Sequence, residues 1–167
     1  ECENCKVTFT DVDVNSLFYK HYYPENYYDQ LHGSRLIEGI LSFLEKFSFQ
    51  RKLRLILKHK PPGNRILEIG CAQGKFLSNL PSTFEKFGIE INENGRQYIQ
   101  KHYPDITIYQ GDIENENFGD CIKKYDIILM WHVLEHIKNP SAFLQRLSSL
   151  LNKNGVFIFE VPNRDSL

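Results

Sequence analysis

The sequence predicts an α/β fold, a three-layer sandwich on a doubly wound, mostly parallel sheet, preceded by a helical and aromatic lead-in. Segments with helical spacing separate the apolar runs, as in βαβ units. The first run ends in a glycine turn that continues directly as a helix, an arrangement typical of nucleotide-binding folds. Strands are predicted at residues 65–69, 87–91, 106–110, 125–131 and 156–161. The first of them has no strict alternation and the fourth is continuously apolar, which is typical of strands buried on both faces.

Composition excludes several classes of protein. The chain has 167 residues, of which 41% are hydrophobic and 25% charged, and its net charge is −1. These values suit one soluble domain with its own core. No apolar run has the length of a membrane helix, and the near-zero charge does not favour nucleic acid. We therefore expect a cytoplasmic protein with reduced thiols and neither a membrane nor a nucleic acid partner.

Residues 1–60 are expected to form a lead-in to the main domain at 61–167. Cys2 and Cys5 have the spacing of half a zinc site, so residues 1–10 are either half of a zinc ribbon or two surface thiols. One pair cannot complete a tetrahedral site, so we expect no metal in this chain. Tyr27 and Tyr28 close an aromatic stretch that either packs at the domain edge or covers a ligand, where tyrosine faces attract cations.

Two helical pieces follow in the lead-in. Residues 36–47 carry apolar side chains at helical spacing and predict an amphipathic helix with one buried stripe, which includes Leu44 and Phe47. Residues 50–58 predict a second piece with a solvated basic face. The basic residues of that region are Arg51, Lys52, Arg54, Lys58 and Lys60.

The turn after the first strand does not match the common phosphate-binding loops. A P-loop has four residues between its first glycine and its Gly-Lys pair, and Ser or Thr follows that pair. Here three residues separate Gly70 from Gly74, and Phe76 replaces the hydroxyl residue. Ala72 interrupts the dinucleotide glycine pattern, which makes an NAD-binding oxidoreductase the weaker reading. Glu68 at the mouth of the loop would repel a pyrophosphate and suits a cationic ligand.

Acidic residues follow the next two strands. Glu90 lies about twenty residues after Gly70, where an acid accepts hydrogen bonds from ribose hydroxyls. Asp112 and Ile113 follow the third strand, where the acid would bind an adenine amine and the isoleucine would pack on the base. Between these strands, Asn92 is expected to cap a helix over residues 93–102 that turns Tyr98 and Ile99 inward.

His132 follows the fourth strand, at the sheet edge where open α/β folds bind ligands. It is either a general base or a residue that shapes the pocket or caps the next helix. His132, Glu135 and His136 also match a zinc-peptidase pattern, but that pattern needs a helical scaffold that the surrounding strands do not predict. The helix opened by Asn139 is expected to reach Leu151, with the fifth strand after it.

The ordered set of Glu68, Gly70, Gly74 and Glu90, with Gly111-Asp112, Tyr125-Asp126 and residues 132–136, resembles the class I S-adenosylmethionine-dependent methyltransferases. It is most similar to the small-molecule branch that includes the ubiquinone-biosynthesis O-methyltransferases. The lead-in looks more loosely like that of sugar methyltransferases with a zinc ribbon. The cofactor-binding residues that this resemblance implies are Glu68, Gly70, Cys71, Ala72, Gly74, Phe76, Glu90, Ile91, Asp112, Ile113, Trp131, Tyr27 and Tyr28.

The resemblance implies in-line transfer of a methyl group to a small-molecule acceptor, with S-adenosylhomocysteine as the product. It implies a sheet of seven strands, of which this chain supplies five, so we expect a fragment. The fifth strand would then be an open edge suited to self-association. The alternative is a catalytically incomplete module that binds S-adenosylmethionine or a partner without turnover.

Overall fold

The computed structural model describes residues 35–111 and 124–163, and for residues 35–41 the backbone alone. The helices are α1 (Arg35–His59), α2 (Lys75–Ser78), α3 (Glu93–His102) and α4 (Pro140–Leu150), with a 3₁₀ turn at Leu134–His136. The strands are β1 (Arg65–Ile69), β2 (Glu85–Glu90), β3 (Ile106–Gln110), β4 (Tyr125–Trp131) and β5 (Leu151–Glu160).

The five strands form one sheet in the order β3-β2-β1-β4-β5, and every pairing is parallel. The predicted fold class is therefore confirmed. The chain leaves β1 toward β2 on one side and later returns to pair β4 on the other, so the winding direction reverses between β1 and β4. In open α/β sheets a ligand site lies at the carboxyl ends of the strands beside such a reversal.

Both faces of the sheet are covered, because successive strand residues point to opposite sides. On one face Ile66 packs with Ile56 of α1 and Ile99 of α3. On the other face Leu67 packs with Phe143 of α4. These contacts make the three layers of the sandwich.

Helix α1 differs from its prediction in two ways. It is one continuous helix of 25 residues, and Leu44 and Phe47 are exposed by 54% and 65%. The side chains that meet the core are Phe49, Leu53 and Ile56. The predicted buried stripe is wrong because helical spacing identifies an apolar face but not which turns the sheet reaches. Among the described residues, no helix combines the length and the apolar character needed to cross a bilayer.

Two smaller predictions also need correction. Ile99 is fully buried, but Tyr98 is exposed and its ring lies 4.3 Å from that of His102. Helix α4 ends at Leu150, and β5 begins at once with Leu151. The early start follows from pairing, because Tyr125 of β4 already lies opposite Leu151 before an irregularity in the ladder.

Asp126 fastens the amino ends of the central strands. Its Oδ2 accepts a hydrogen bond from the backbone N–H of Arg65 at 2.9 Å, and its Oδ1 accepts one from Asn152 Nδ2 at 2.8 Å. The contact leaves no room at Gly63, where a Cβ would lie 2.0 Å from the Asp126 carboxyl carbon. Asp126 therefore serves the fold at the end of the sheet opposite the candidate site.

Candidate functional site

The turn between β1 and α2 is built from left-handed backbone. Gly70, Ala72 and Gly74 have φ of 69°, 50° and 71°. A Cβ on Gly74 would lie 2.8 Å from Ile99 Cγ1, so glycine is required there for space as well as conformation. Ala72 is the non-glycine residue among them, and left-handed backbone costs it roughly 1–2 kcal/mol. Contacts outside the turn must hold it in this shape.

Glu90 supplies those contacts at the end of β2. Its Oε2 accepts a hydrogen bond from Ala72 N at 2.8 Å, and its Oε1 accepts one from Asn92 N at 2.8 Å. Asn92 in turn caps α3, as predicted, by accepting from Gly95 N. One buried carboxylate therefore ties the glycine turn to the start of α3, and each of its oxygens keeps lone-pair capacity for a further donor.

Glu68 lies deeper than its predicted place at the mouth of the loop. It is 3% exposed, and its Oε2 has no hydrogen-bond partner among the described residues. Burial raises the pKa of Glu68 to about 8, the charge of Lys52 lowers it, and the charge of Glu90 raises it further. At neutral pH the group therefore carries a proton for most of the time, which the sequence did not indicate. A buried polar atom without a partner is costly unless a ligand completes it.

Lys52 is much more buried than the sequence predicted. Instead of lying on a solvated face, its side chain is 13% exposed and its Nζ lies 3.2 Å from Glu160 Oε1. The same Nζ lies 4.3 Å from the centroid of the Trp131 ring, within the range of a cation–π interaction. Because Lys52 also acts on Glu68, it joins the tips of β1, β4 and β5 electrostatically.

Glu160 is a site residue that sequence reasoning missed. It ends β5, faces Trp131 in the β4–β5 ladder, and forms ion pairs with Arg51 and Lys52. The signal was present, since Glu160 ends an apolar run in the same way as Glu90. A search for acids at every strand end would have found it.

His132 follows β4 with a φ of 56° and a side chain that is 54% exposed. Its Nε2 lies 3.2 Å from Glu160 Oε1, and its Nδ1 lies 3.8 Å from Glu135 Oε1. His136 ends the 3₁₀ turn, whereas His132 precedes it in left-handed backbone. The two histidines do not share an α-helix, so the scaffold of the zinc-peptidase pattern is not formed.

The remaining predicted residues divide into an aromatic wall and a buried loop residue. Phe76 lies between Phe49 and Trp131, with ring centroids 5.3 Å apart in both pairs. Cys71 is buried beneath the turn, and this burial, with the charges of Glu68 and Glu90, raises the pKa of its thiol. A raised thiol pKa fits a packing role rather than that of a nucleophile. Ile91 is exposed next to Glu90.

Some predictions cannot be placed. Tyr27, Tyr28, Asp112 and Ile113 lie outside the described residues, as do Cys2 and Cys5. Within the described part, a cavity of about 360 Å³ opens beside Trp131 and Glu160, and neither Glu68 nor Glu90 lines it. Its other lining residues are Arg51, Lys52, Arg54, Leu55, Lys58 and Phe159. Glu68 and Glu90 are related through the buried interior and not through this cavity.

Known proteins match this chain over the part that contains the sheet and the candidate site. The family model described as a methyltransferase domain matches residues 40–167. A protein of Mycolicibacterium smegmatis described as a "Probable S-adenosylmethionine-dependent methyltransferase" is 26% identical over 137 residues, which is 80% of this chain and 52% of that protein. A ubiquinone biosynthesis O-methyltransferase of Glaesserella parasuis is 28% identical over 110 residues, covering 61% of this chain and 47% of that enzyme.

Among solved structures, the fold matches that of CalS10, an amino pentose methyltransferase of Micromonospora echinaspora solved with S-adenosylmethionine bound. The TM-score is 0.61 at 17% identity, over 79% of this chain and 58% of that one. This likeness concerns the fold. The chain spans about half the length of the two curated relatives above.

Proposed function

This chain belongs to the methyltransferase domain family, and we propose that it binds S-adenosylmethionine at the carboxyl ends of β1, β2 and β4 and transfers its methyl group to a small-molecule acceptor. The observation that carries the proposal is the unpaired Oε2 of Glu68 beneath the glycine turn. A donor or a positive charge on a ligand would complete that atom, and S-adenosylmethionine offers both.

The buried acid favours a cationic ligand over a phosphate. Burial raises the pKa of Glu68, and the positive charge of Lys52 lowers it. A second cation nearby would act in the same direction as Lys52 and would draw the group into its ionised form. A pyrophosphate would instead oppose that ionisation, because it brings negative charge to the buried carboxyl group.

Other residues would hold the remaining parts of the cofactor. Glu90 keeps acceptor capacity for ribose hydroxyls beyond its bonds to Ala72 and Asn92. The backbone of residues 70–74, with Cys71 behind it and Ile91 beside it, would border the ligand. Phe76 and Trp131 would border the sulfonium, with Lys52 already over one face of the Trp131 ring. Adenine binding by Asp112 and Ile113 and a cover from Tyr27 and Tyr28 stay predictions.

Catalysis in this site would depend mainly on alignment. When bound, S-adenosylmethionine would supply a methyl group on a positively charged sulfur, with S-adenosylhomocysteine as the product. The chain's own task is to hold the acceptor in line and, where the nucleophile carries a proton, to remove it. We assign that removal to His132, whose half-exposed imidazole stands at the tip of β4.

The test is calorimetric titration of the 167-residue chain with S-adenosylmethionine, S-adenosylhomocysteine and NAD. We expect S-adenosylmethionine to bind, NAD to give no heat, and Glu68→Gln to weaken S-adenosylmethionine by about tenfold. Glu85→Gln, which alters an exposed acid at the amino end of β2, is the matched control and should bind as the unaltered chain does. Tighter binding of NAD than of S-adenosylmethionine would overturn the proposal.

A second candidate is a module that binds S-adenosylmethionine or a partner without turnover. The observation in its favour is that β5 is the outermost strand of the sheet formed by the described residues, and its Phe159 is 47% exposed. An acceptor panel distinguishes the two, because the module would bind the cofactor without transferring methyl groups. Light scattering would show whether the β5 edge self-associates. We place either form in the cytoplasm, where the free thiol of Cys71 would stay reduced.

A further inference from the structure

His132 is fastened to the end of β5 at two points. Its backbone N–H donates to the carbonyl oxygen of Glu160 at 2.9 Å, and its ring Nε2 lies 3.2 Å from Glu160 Oε1. In this position the backbone of His132 is left-handed, with a φ of 56°. Such a conformation persists in a non-glycine residue only when the surroundings fix it. Glu160 is therefore the group that sets both the place and the direction of the imidazole.

The carboxylate of Glu160 is held in its ionised form by α1. Partial burial raises the pKa of Glu160, but the hydrogen bond and charge of Lys52 and the charges of Arg51 and His132 outweigh it and lower the pKa below its ordinary value. An ionised carboxylate only accepts hydrogen bonds. Nε2 is the ring nitrogen nearest to that charge, so the carboxylate favours a proton on Nε2, also when the imidazole is neutral.

The other ring nitrogen is left available. Within the described part of the chain, the charged groups around the ring are Glu160 from β5, Glu135 from the 3₁₀ turn and, through Glu160, Arg51 and Lys52 from α1. Glu135 Oε1 lies 3.8 Å from Nδ1, which is too far for a direct hydrogen bond. Among the residues that the structure describes, Nδ1 therefore has no hydrogen-bond partner, and its lone pair lies on the side of the ring away from Glu160.

We propose that Glu160 is a positioning residue that fixes His132 in the Nε2–H tautomer and directs Nδ1 to the acceptor's proton. The use of that proton rests on the proposed function, whereas the tautomer does not. In the transfer, an electron pair of the acceptor forms the bond to the methyl carbon. The carbon–sulfur bond breaks, and its electron pair returns to sulfur. The acceptor's proton passes to Nδ1, and the imidazolium so formed keeps its Nε2–H on Glu160.

The experiment is long-range proton–nitrogen NMR of the full chain with ¹⁵N-labelled histidine, at about pH 9, above the ordinary titration range of histidine. We expect His132 to show the Nε2–H tautomer alone. In Glu160→Ala the Nδ1–H tautomer should appear as about a tenth or more of the signal, and Glu160→Gln, which keeps an acceptor oxygen, should restore the original state. Glu135→Ala removes the carboxylate on the other side of the ring. It is the matched control and should keep the Nε2–H tautomer.

A predominant Nδ1–H tautomer in the unaltered chain would overturn the proposal even if no variant folds. An unchanged tautomer in Glu160→Ala would also overturn it. A kinetic measurement separates this result from the proposed function: in an active chain, Glu160→Ala should lower kcat by about tenfold or more. A correct tautomer in a chain that transfers no methyl group would support the positioning role and reject the proposed function alone.

Discussion

Lys52 holds its ammonium group 4.3 Å from the centroid of the Trp131 ring, so a cation of the first helix covers the aromatic side chain at the tip of β4. The same ammonium is paired with Glu160. Aromatic faces and acidic groups both stabilise a sulfonium ligand. Lys52 already contacts two such groups, the Trp131 ring and Glu160, and the unpaired carboxyl of Glu68 is the third. Lys52 therefore links the stability of the site to its affinity for cations.

Replacing Lys52 should destabilise the chain. Lys52→Met removes the ion pair to Glu160 and the contact with Trp131, and we expect the free energy of unfolding to fall by about 1–2 kcal/mol. Urea unfolding followed by the fluorescence of Trp131, the single tryptophan of the sequence, measures it. Lys46→Met alters an exposed lysine of the same helix and should change the stability by less than about 0.5 kcal/mol. Equal effects of the two variants would contradict the assigned contacts.

Glu68 should make the chain less stable as pH rises. Its pKa is about 8 in the fold and 4.5 for an ordinary glutamate, so between these limits the folded chain keeps a proton that the unfolded chain has lost. The stabilisation is complete below about pH 4.5 and is lost as pH approaches 8, with a slope of at most about 1.4 kcal/mol per pH unit. The difference in free energy of unfolding between the unaltered chain and Glu68→Gln isolates this contribution. A difference independent of pH would refute the raised pKa.

Binding of S-adenosylmethionine should release a proton from Glu68. A cation beside the acid lowers its pKa from about 8, so near pH 7 up to about one proton leaves per bound ligand. Calorimetry in buffers of different ionisation enthalpy counts the protons. Glu68→Gln should release close to none, and an equal release from both forms would show that the proton comes from another group.

The glycine turn offers a pair of opposite substitutions. Gly74→Ala introduces a Cβ 2.8 Å from Ile99 at a φ of 71°, and should lower the free energy of unfolding by about 1–3 kcal/mol. Ala72→Gly relieves a φ of 50° and should keep or raise that free energy by up to about 1 kcal/mol. Thermal unfolding of both variants checks the pair. A loss of similar size in both would show that the turn is not under the strain described.

Asp126 should matter for stability and not for ligand affinity. Asp126→Asn weakens the acceptor shared by Arg65 N and Asn152 Nδ2, and should cost about 1–2 kcal/mol of unfolding free energy. Because Asp126 lies at the amino end of β4, the dissociation constant for S-adenosylmethionine should stay within about twofold. A large loss of affinity in a chain that remains folded would show that the two ends of the sheet are coupled.

Much of the fold could be read from local sequence. Residues 65–69 and 125–131 have the continuous apolar character of strands buried on both faces, and the turn from Gly70 to Gly74 predicted the strand–turn–helix unit. Asn92 and Asn139 predicted their helix starts, because capping depends on residues within the same turn. Such features involve neighbours in the chain, so the order of residues contains them.

The predictions that failed concern which apolar side chains are buried, because burial depends on contacts between residues distant in sequence. Spacing showed that α1 has an apolar face, but only packing against the sheet decided that Phe49 is covered while Leu44 and Phe47 are exposed. In the same way, the prediction for Tyr98 failed although that for Ile99 was confirmed.

The order of residues alone predicted the parallel α/β sheet, the glycine turn after β1 and the presence of acids at the strand ends. The burial and raised pKa of Glu68, the contact of Lys52 with Trp131 and that of Glu160 with His132 became visible only in the folded chain. Backbone conformation depends mainly on neighbours along the chain. The charge state of a side chain follows from the solvent it loses and the charges it meets, and these come from residues far away in sequence.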